Sequence, residues 1–123
     1  MEAPLRILAV DNEPSIILSM RFVFSGPRYE LTCVGNGNAA LARLDANSSL
    51  YDVILVDQKM PGLTGLELVR AIRARGIGGK IIVVSAYLTP ELREGYAQLG
   101  VDTMFSKPFC VDELRAVVDR VPV

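Results

Sequence analysis

Polar residues that can handle a phosphate or a metal directly follow apolar runs at four points in this chain. Asp11-Asn12-Glu13 follow Ile7-Leu8-Ala9-Val10, and Asp57 follows Val53-Ile54-Leu55-Val56. Ser85 follows Ile81-Ile82-Val83-Val84, and Ser106-Lys107-Pro108 follow Thr103-Met104-Phe105. Clustered carboxylates repel one another, and a cation between them relieves the repulsion. Histidine is absent from the sequence, which leaves oxygen ligands and points to a hard ion. Mg²⁺ commonly uses one or two carboxylates together with waters and phosphate oxygens. A carboxylate drawn up to a phosphoryl group in such a site can attack phosphorus and form an acyl phosphate. Asp57 is the candidate nucleophile, Lys107 the fixed positive charge, and Ser85 a hydroxyl able to donate to a phosphoryl oxygen.

These residues share a site only if the runs before them are neighbouring strands. Unbroken β-branched runs of this length read as strands buried on both faces, the pattern of a parallel sheet covered by helices. Leu31-Thr32-Cys33-Val34 supplies a further strand, closed by a turn at Gly35-Asn36-Gly37. Helices are predicted between the strands. Pro14 suits the first turn of one whose apolar face is Ile16, Ile17, Met20, Val23 and Phe24, stopped by Gly26-Pro27. A short helix is expected from Ala39 to Leu44 with Asn38 as a possible cap. The next buries Leu66, Val69 and Ile72 and ends at Gly76. Thr89 caps a fourth before Pro90, and the last begins near Val111 with Leu114, Val117 and Val118 inward.

Five βα units joined by right-handed crossovers make an α/β fold, a three-layer α/β/α sandwich. The five-stranded parallel sheet is expected in the flavodoxin-like order 2-1-3-4-5, which sets strands one and three side by side at the switch point. Asp11, Asn12 and Asp57 then face one crevice, with Ser85 and Lys107 beside it.

The chain has 123 residues, enough for one domain over 1–123 that buries roughly two-thirds of its unfolded surface. Acidic and basic residues number 14 and 13, so no surface is built to hold a nucleic-acid backbone. No apolar run approaches the ~18 residues of a membrane span, and Met1-Glu2-Ala3-Pro4 lacks a leader's features, so a cytoplasmic location is expected. Without histidine, any triad that needs an imidazole is excluded. Cys33 and Cys110 read as small reduced packing residues.

Val10-Asp11-Asn12-Glu13-Pro14, Leu55-Val56-Asp57 with Met60-Pro61-Gly62, Ser85-Ala86 and Lys107-Pro108-Phe109 together resemble the receiver domain of two-component response regulators. The resemblance implies that Asp57 is a phosphoacceptor, taking a phosphoryl group from the phosphohistidine of a histidine kinase or phosphotransfer protein. It implies Mg²⁺ held by Asp11, Asp57 and the backbone carbonyl of Lys59, with Asn12 at the position of a second acid. Ser85 would be the switch hydroxyl, Lys107 the phosphate-pairing lysine, and Lys107-Pro108 a cis bond. Lys59 and Tyr87 lie two residues beyond Asp57 and Ser85, positions that tune dephosphorylation in the family. The output face would lie on the fourth helix, fifth strand and fifth helix, carrying Glu91, Arg93, Glu94, Asp112, Arg115, Asp119 and Arg120, and a homodimer could form there.

Two departures stand out. Asn12 replaces an acid and removes a negative charge, which predicts weaker Mg²⁺ binding, and Glu13 is expected to project elsewhere. Met104 occupies the position of the switch aromatic, while Phe105 faces the opposite side of the strand. Other readings remain open. A pseudo-receiver would keep the fold without phosphate regulation. A haloacid-dehalogenase-like phosphatase would want an aspartate where Lys59 stands. A flavin binder would want Ser, Thr and Gly in place of Asp11-Asn12-Glu13.

Overall fold

Strict alternation of side chains along three strands buried over nearly their whole length sorts the core into two halves. The computed structural model describes residues 3–121; Met1 and Glu2, part of the start read above for a leader, lie outside the described residues, as do positions 122 and 123 of the expected domain. The strands are β1 (Leu5–Val10), β2 (Tyr29–Val34), β3 (Val53–Val56), β4 (Lys80–Ser85) and β5 (Thr103–Ser106). All pair in parallel, in the order β2-β1-β3-β4-β5. The helices are α1 (Pro14–Val23), α2 (Gly37–Ala46), α3 (Gly65–Ala74), α4 (Pro90–Gln98) and α5 (Val111–Asp119), with a single 3₁₀ turn at Ser48–Leu50.

Leu8, Val10, Ile54, Val56, Ile81 and Val83 face one layer, against Ala40 and Leu44 of α2, Leu68, Val69 and Ile72 of α3, and Tyr96 of α4. Ile7, Ala9, Val53, Leu55, Ile82 and Val84 face the other, against Met20 and Val23 of α1 and Leu114 and Val118 of α5. A two-residue period on the sheet therefore meets helical stripes on both sides, as the apolar runs require. Met104 packs on the α2–α4 side and Phe105 on the α1–α5 side, as alternation along β5 predicts.

Helix boundaries follow local chemistry. Thr64 and Glu67 form a reciprocal capping box at the start of α3, and Thr89 caps α4 by accepting from the Leu92 N–H at 3.2 Å. Gly76 and Gly100 adopt φ of +71° and +79° just beyond α3 and α4, where a side chain would be strained. Three expectations change. Helix α2 begins at Gly37, because Asn36 and not Asn38 is its cap, accepting from the Ala39 N–H at 2.8 Å. In α3 the deeply buried positions are Leu68, Val69 and Ile72, with Leu66 only half-buried. Cys33 packs beside the α1–α5 half of the core, but Cys110 is exposed at the start of α5, and both are free thiols. No helix among the described residues is long and apolar enough to cross a membrane.

Candidate functional site

Each site residue is hung on the sheet by a backbone hydrogen bond that extends a strand by one residue. The Asp11 N–H donates to the Val34 carbonyl (3.1 Å), the Asp57 N–H to that of Val10 (3.0 Å), and the Lys107 N–H to that of Ser85 (3.0 Å). These bonds tie β1 to β2, β3 to β1 and β5 to β4 at their carboxyl ends, and the β3–β4 ladder joins the two sets. The side chains converge accordingly. Lys107 Nζ donates to Asp11 Oδ2 at 2.9 Å and Glu13 Oε1 at 3.0 Å, and lies 3.5 Å from Asp57 Oδ1. The Lys107-Pro108 peptide is cis.

Burial makes this cluster electrostatically demanding. The side chains of Lys107, Asp11 and Asp57 are 8%, 6% and 3% exposed, so their charges are poorly screened. Carboxylate oxygens of Asp11, Glu13 and Asp57 lie within 4.8 Å of one another. Three carboxylates face one ammonium. Burial first, and the Asp11 charge second, push the Asp57 carboxyl above the usual aspartate range, against the pull of Lys107. Burial acts to lower the Lys107 ammonium, but the carboxylates of Asp11 and Glu13 outweigh it and hold the group above its ordinary value. Asp57 Oδ2 is buried without a hydrogen-bond partner among the described residues. A buried anionic oxygen left bare, inside an all-oxygen donor set with excess negative charge, fits a hard cation.

The expected residues are therefore brought together, with one correction. Glu13 does not project elsewhere: its carboxylate joins those of Asp11 and Asp57 and bonds Lys107. Its placement comes from a local turn in which the Glu13 N–H donates to Asp11 Oδ1 at 2.9 Å. Asn12 is exposed at the rim, where it and Asp11 line a groove of about 360 Å³ running along α1 past Ile17, Leu18 and Arg21. Ser85 is fully buried, and its Oγ accepts from the Tyr87 N–H at 3.1 Å. Lys59 is exposed, with Nζ 5.0 Å from the centre of the Tyr87 ring.

Two residues of the site were not read from the sequence. Gln58 and Tyr96 are both buried, and the Tyr96 hydroxyl donates a short hydrogen bond to Gln58 Oε1. The same Gln58 oxygen accepts from the Leu66 N–H at 3.0 Å. Leu92, Tyr96 and Leu99 recur at helical spacing, so Tyr96 could have been found as a core residue of α4, though not as a partner of Gln58. The output face also changes. Arg115 donates to the Val23 carbonyl at 3.2 Å, and Asp119 accepts from the Tyr29 hydroxyl at 2.6 Å and pairs with Arg28. Both reach toward α1 and β2.

The family model described as response regulator receiver domain matches residues 7–119. Sporulation initiation phosphotransferase F of Bacillus subtilis is 30% identical over 115 residues, covering 94% of this chain and 91% of that protein. The chain spans only about half the length, or less, of several other curated relatives. Among solved structures, chemotaxis protein CheY4 of Vibrio cholerae superposes with a TM-score of 0.86 at 29% identity, over 98% of this chain and all of that one. TrrA of Thermotoga maritima, solved in complex with Mg²⁺-BeF, superposes with a TM-score of 0.80 at 33% identity, over 94% of this chain and 97% of its own.

Proposed function

Because the chain belongs to the response regulator receiver family, whose members are phosphoacceptors of two-component signalling, we propose that Asp57 is the residue modified and that the unit spans 1–123. The observation that carries this reading is the bare, buried Oδ2 of Asp57 beside Lys107. A carboxylate oxygen of Asp57 attacks phosphorus of a phosphohistidine. The O–P bond forms as the P–N bond breaks, and the electron pair of that bond returns to the imidazole nitrogen of the donor. The product on this chain is an acyl phosphate. Lys107 stays protonated throughout and pairs with the added phosphoryl oxygens. Ser85, one strand away, offers its hydroxyl proton to one of them; the Tyr87 N–H occupies only a lone pair of that oxygen.

Asp11, Asp57 and the Lys59 carbonyl would hold Mg²⁺, with Glu13 now added to the candidates and Asn12 at the rim. When bound, the ion supplies charge neutralisation for the incoming phosphoryl group. Burial of Asp57 keeps bulk water from the acyl phosphate, and Lys59 stacked on Tyr87 covers the neighbouring approach. The partner implied is a histidine kinase or phosphotransfer protein, met in the cytoplasm. The exposed Leu18 and Phe22 beside the α1 groove offer it an apolar foothold. Output runs through α4, β5 and α5, where a homodimer would form; the chain acts as a regulatory domain and not as an enzyme on a diffusing substrate.

Intact-mass spectrometry after incubation with acetyl phosphate tests this reading. One added phosphoryl group is expected, dependent on Mg²⁺ and absent in Asp57→Asn. A phosphoryl group retained by Asp57→Asn would sink it.

A further inference from the structure

The residue that follows Asp57 is locked to two helices. The Gln58 carbonyl accepts from the Gly65 N–H at 2.9 Å, and the Gln58 side chain takes the next donor, Leu66 N–H. Gly65 sits so close that a Cβ there would collide with the Asp57 carbonyl oxygen, the Tyr96 hydroxyl and Gln58 Cα. Strand β3, the start of α3 and the middle of α4 therefore meet with no slack. Tyr96 is fully buried and Gln58 is 9% exposed, so neither finds water if their mutual bond opens. Close-packed contacts of this kind switch between arrangements and do not deform smoothly. Any displacement of the Asp57-Gln58 peptide must carry α4 with it or break the Tyr96 bond.

Met104 stands on β5 at the position of the switch aromatic, and its thioether carries no hydrogen-bond donor. We infer that Tyr96 is a positioning residue whose bond to Gln58 latches α4 to the Asp57 peptide in the unmodified arrangement. Releasing the latch favours the modified one. The inference rests on the assignment of Asp57 as the phosphoacceptor. The direction follows from the geometry: the bond coexists with Lys107 paired to Asp11, Glu13 and Asp57, contacts for which phosphoryl oxygens on Asp57 would compete. By linkage, a bond that stabilises the unmodified arrangement weakens binding of whatever selects the other.

The test is titration of the intact chain with beryllofluoride and Mg²⁺, followed by amide NMR, on wild type and Tyr96→Phe. The substitution keeps the ring and leaves Gln58 Oε1 its bond from Leu66, so no buried acceptor is orphaned. Tyr96→Phe should bind about fivefold more tightly, the equivalent of one neutral hydrogen bond. Its α4 amides in the ligand-free state should move toward their positions in the beryllofluoride-bound wild type. Placed on a Gln58→Met background, Tyr96→Phe should add nothing further. A general loosening of the core would weaken binding, so tighter binding is a signature that a purely structural role does not produce. Unchanged or weaker binding by Tyr96→Phe, with normal binding by wild type, overturns the latch and leaves the Asp57 assignment standing. No binding by wild type overturns both.

Discussion

Lys107→Met removes the only cation among the described residues that touches the three carboxylates at the strand ends, and its cost can be worked from the geometry. The contact with Glu13 counts for little, because that carboxylate is 52% exposed and screened. The contacts with Asp11 at 2.9 Å and Asp57 at 3.5 Å count fully, because all three side chains are under a tenth exposed. Removing one partner from a buried pair typically costs about 3–5 kcal/mol, since an uncompensated charge remains. The metal-free variant is therefore expected to lose about that much stability in urea denaturation at pH 7. The pH dependence has a definite sign. Lys107 is raised above its ordinary value in the fold, so its contribution is intact below the unfolded lysine value and is lost as pH rises through the folded one. Mg²⁺ held by Asp11, Asp57 and Glu13 would compete with Lys107 for the same oxygens, so the variant should bind the ion more tightly than wild type. Each tenfold gain in affinity narrows the stability gap at saturating Mg²⁺ by about 1.4 kcal/mol. A metal-free variant within about 1 kcal/mol of wild type, or a gap that widens with Mg²⁺, would refute the reasoning.

Four further outcomes follow from particular contacts. Asp57 is raised in the fold, so its neutral form is favoured and stability falls as pH rises through the folded value; metal-free Asp57→Asn should melt above wild type at pH 7, with the difference vanishing below the ordinary aspartate value of about 4. Asn12→Asp adds a negative charge beside Asp11 at the rim of the crevice, and isothermal titration should show Mg²⁺ bound several-fold more tightly. Phe22 is 79% exposed on α1, so Phe22→Ala should slow transfer from a phosphohistidine donor by about tenfold while leaving the rate with acetyl phosphate unchanged. Gly65→Ala forces a methyl into the junction of Asp57, Gln58 and Tyr96 and should cost about 1–3 kcal/mol in urea denaturation.

The site was legible where it depends on strand ends. Asp11, Asp57 and Ser85 end buried runs, Lys107 follows the half-buried β5, and a parallel sheet in this order brings their backbones to one edge. What escaped depends on side chains choosing partners across the fold. Asn12 and Glu13 are neighbours in one turn, and the Asp11 carboxylate's bond to the Glu13 N–H decides which of them points at Lys107. Arg115 and Asp119 fit a mixed-charge output face by helical position, yet long side chains reach around α5 to Val23, Tyr29 and Arg28. Nothing in the sequence pairs Gln58 with Tyr96, 38 positions away. Only the packing of α3 against both shows that they form one buried hydrogen bond. The start of α2 slipped because Gly35-Asn36-Gly37 reads as a turn, whereas Asn36 is already capping the helix and Gly37 lies against Leu63.

The central claim is that Asp57 carries the phosphoryl group, and the most direct measurement locates it chemically. Borohydride reduces an aspartyl phosphate to homoserine, which marks the modified position through proteolysis and tandem mass spectrometry. After reaction with acetyl phosphate and Mg²⁺, homoserine is expected at position 57 alone. Homoserine at position 11 or elsewhere, with none at 57, would contradict the account.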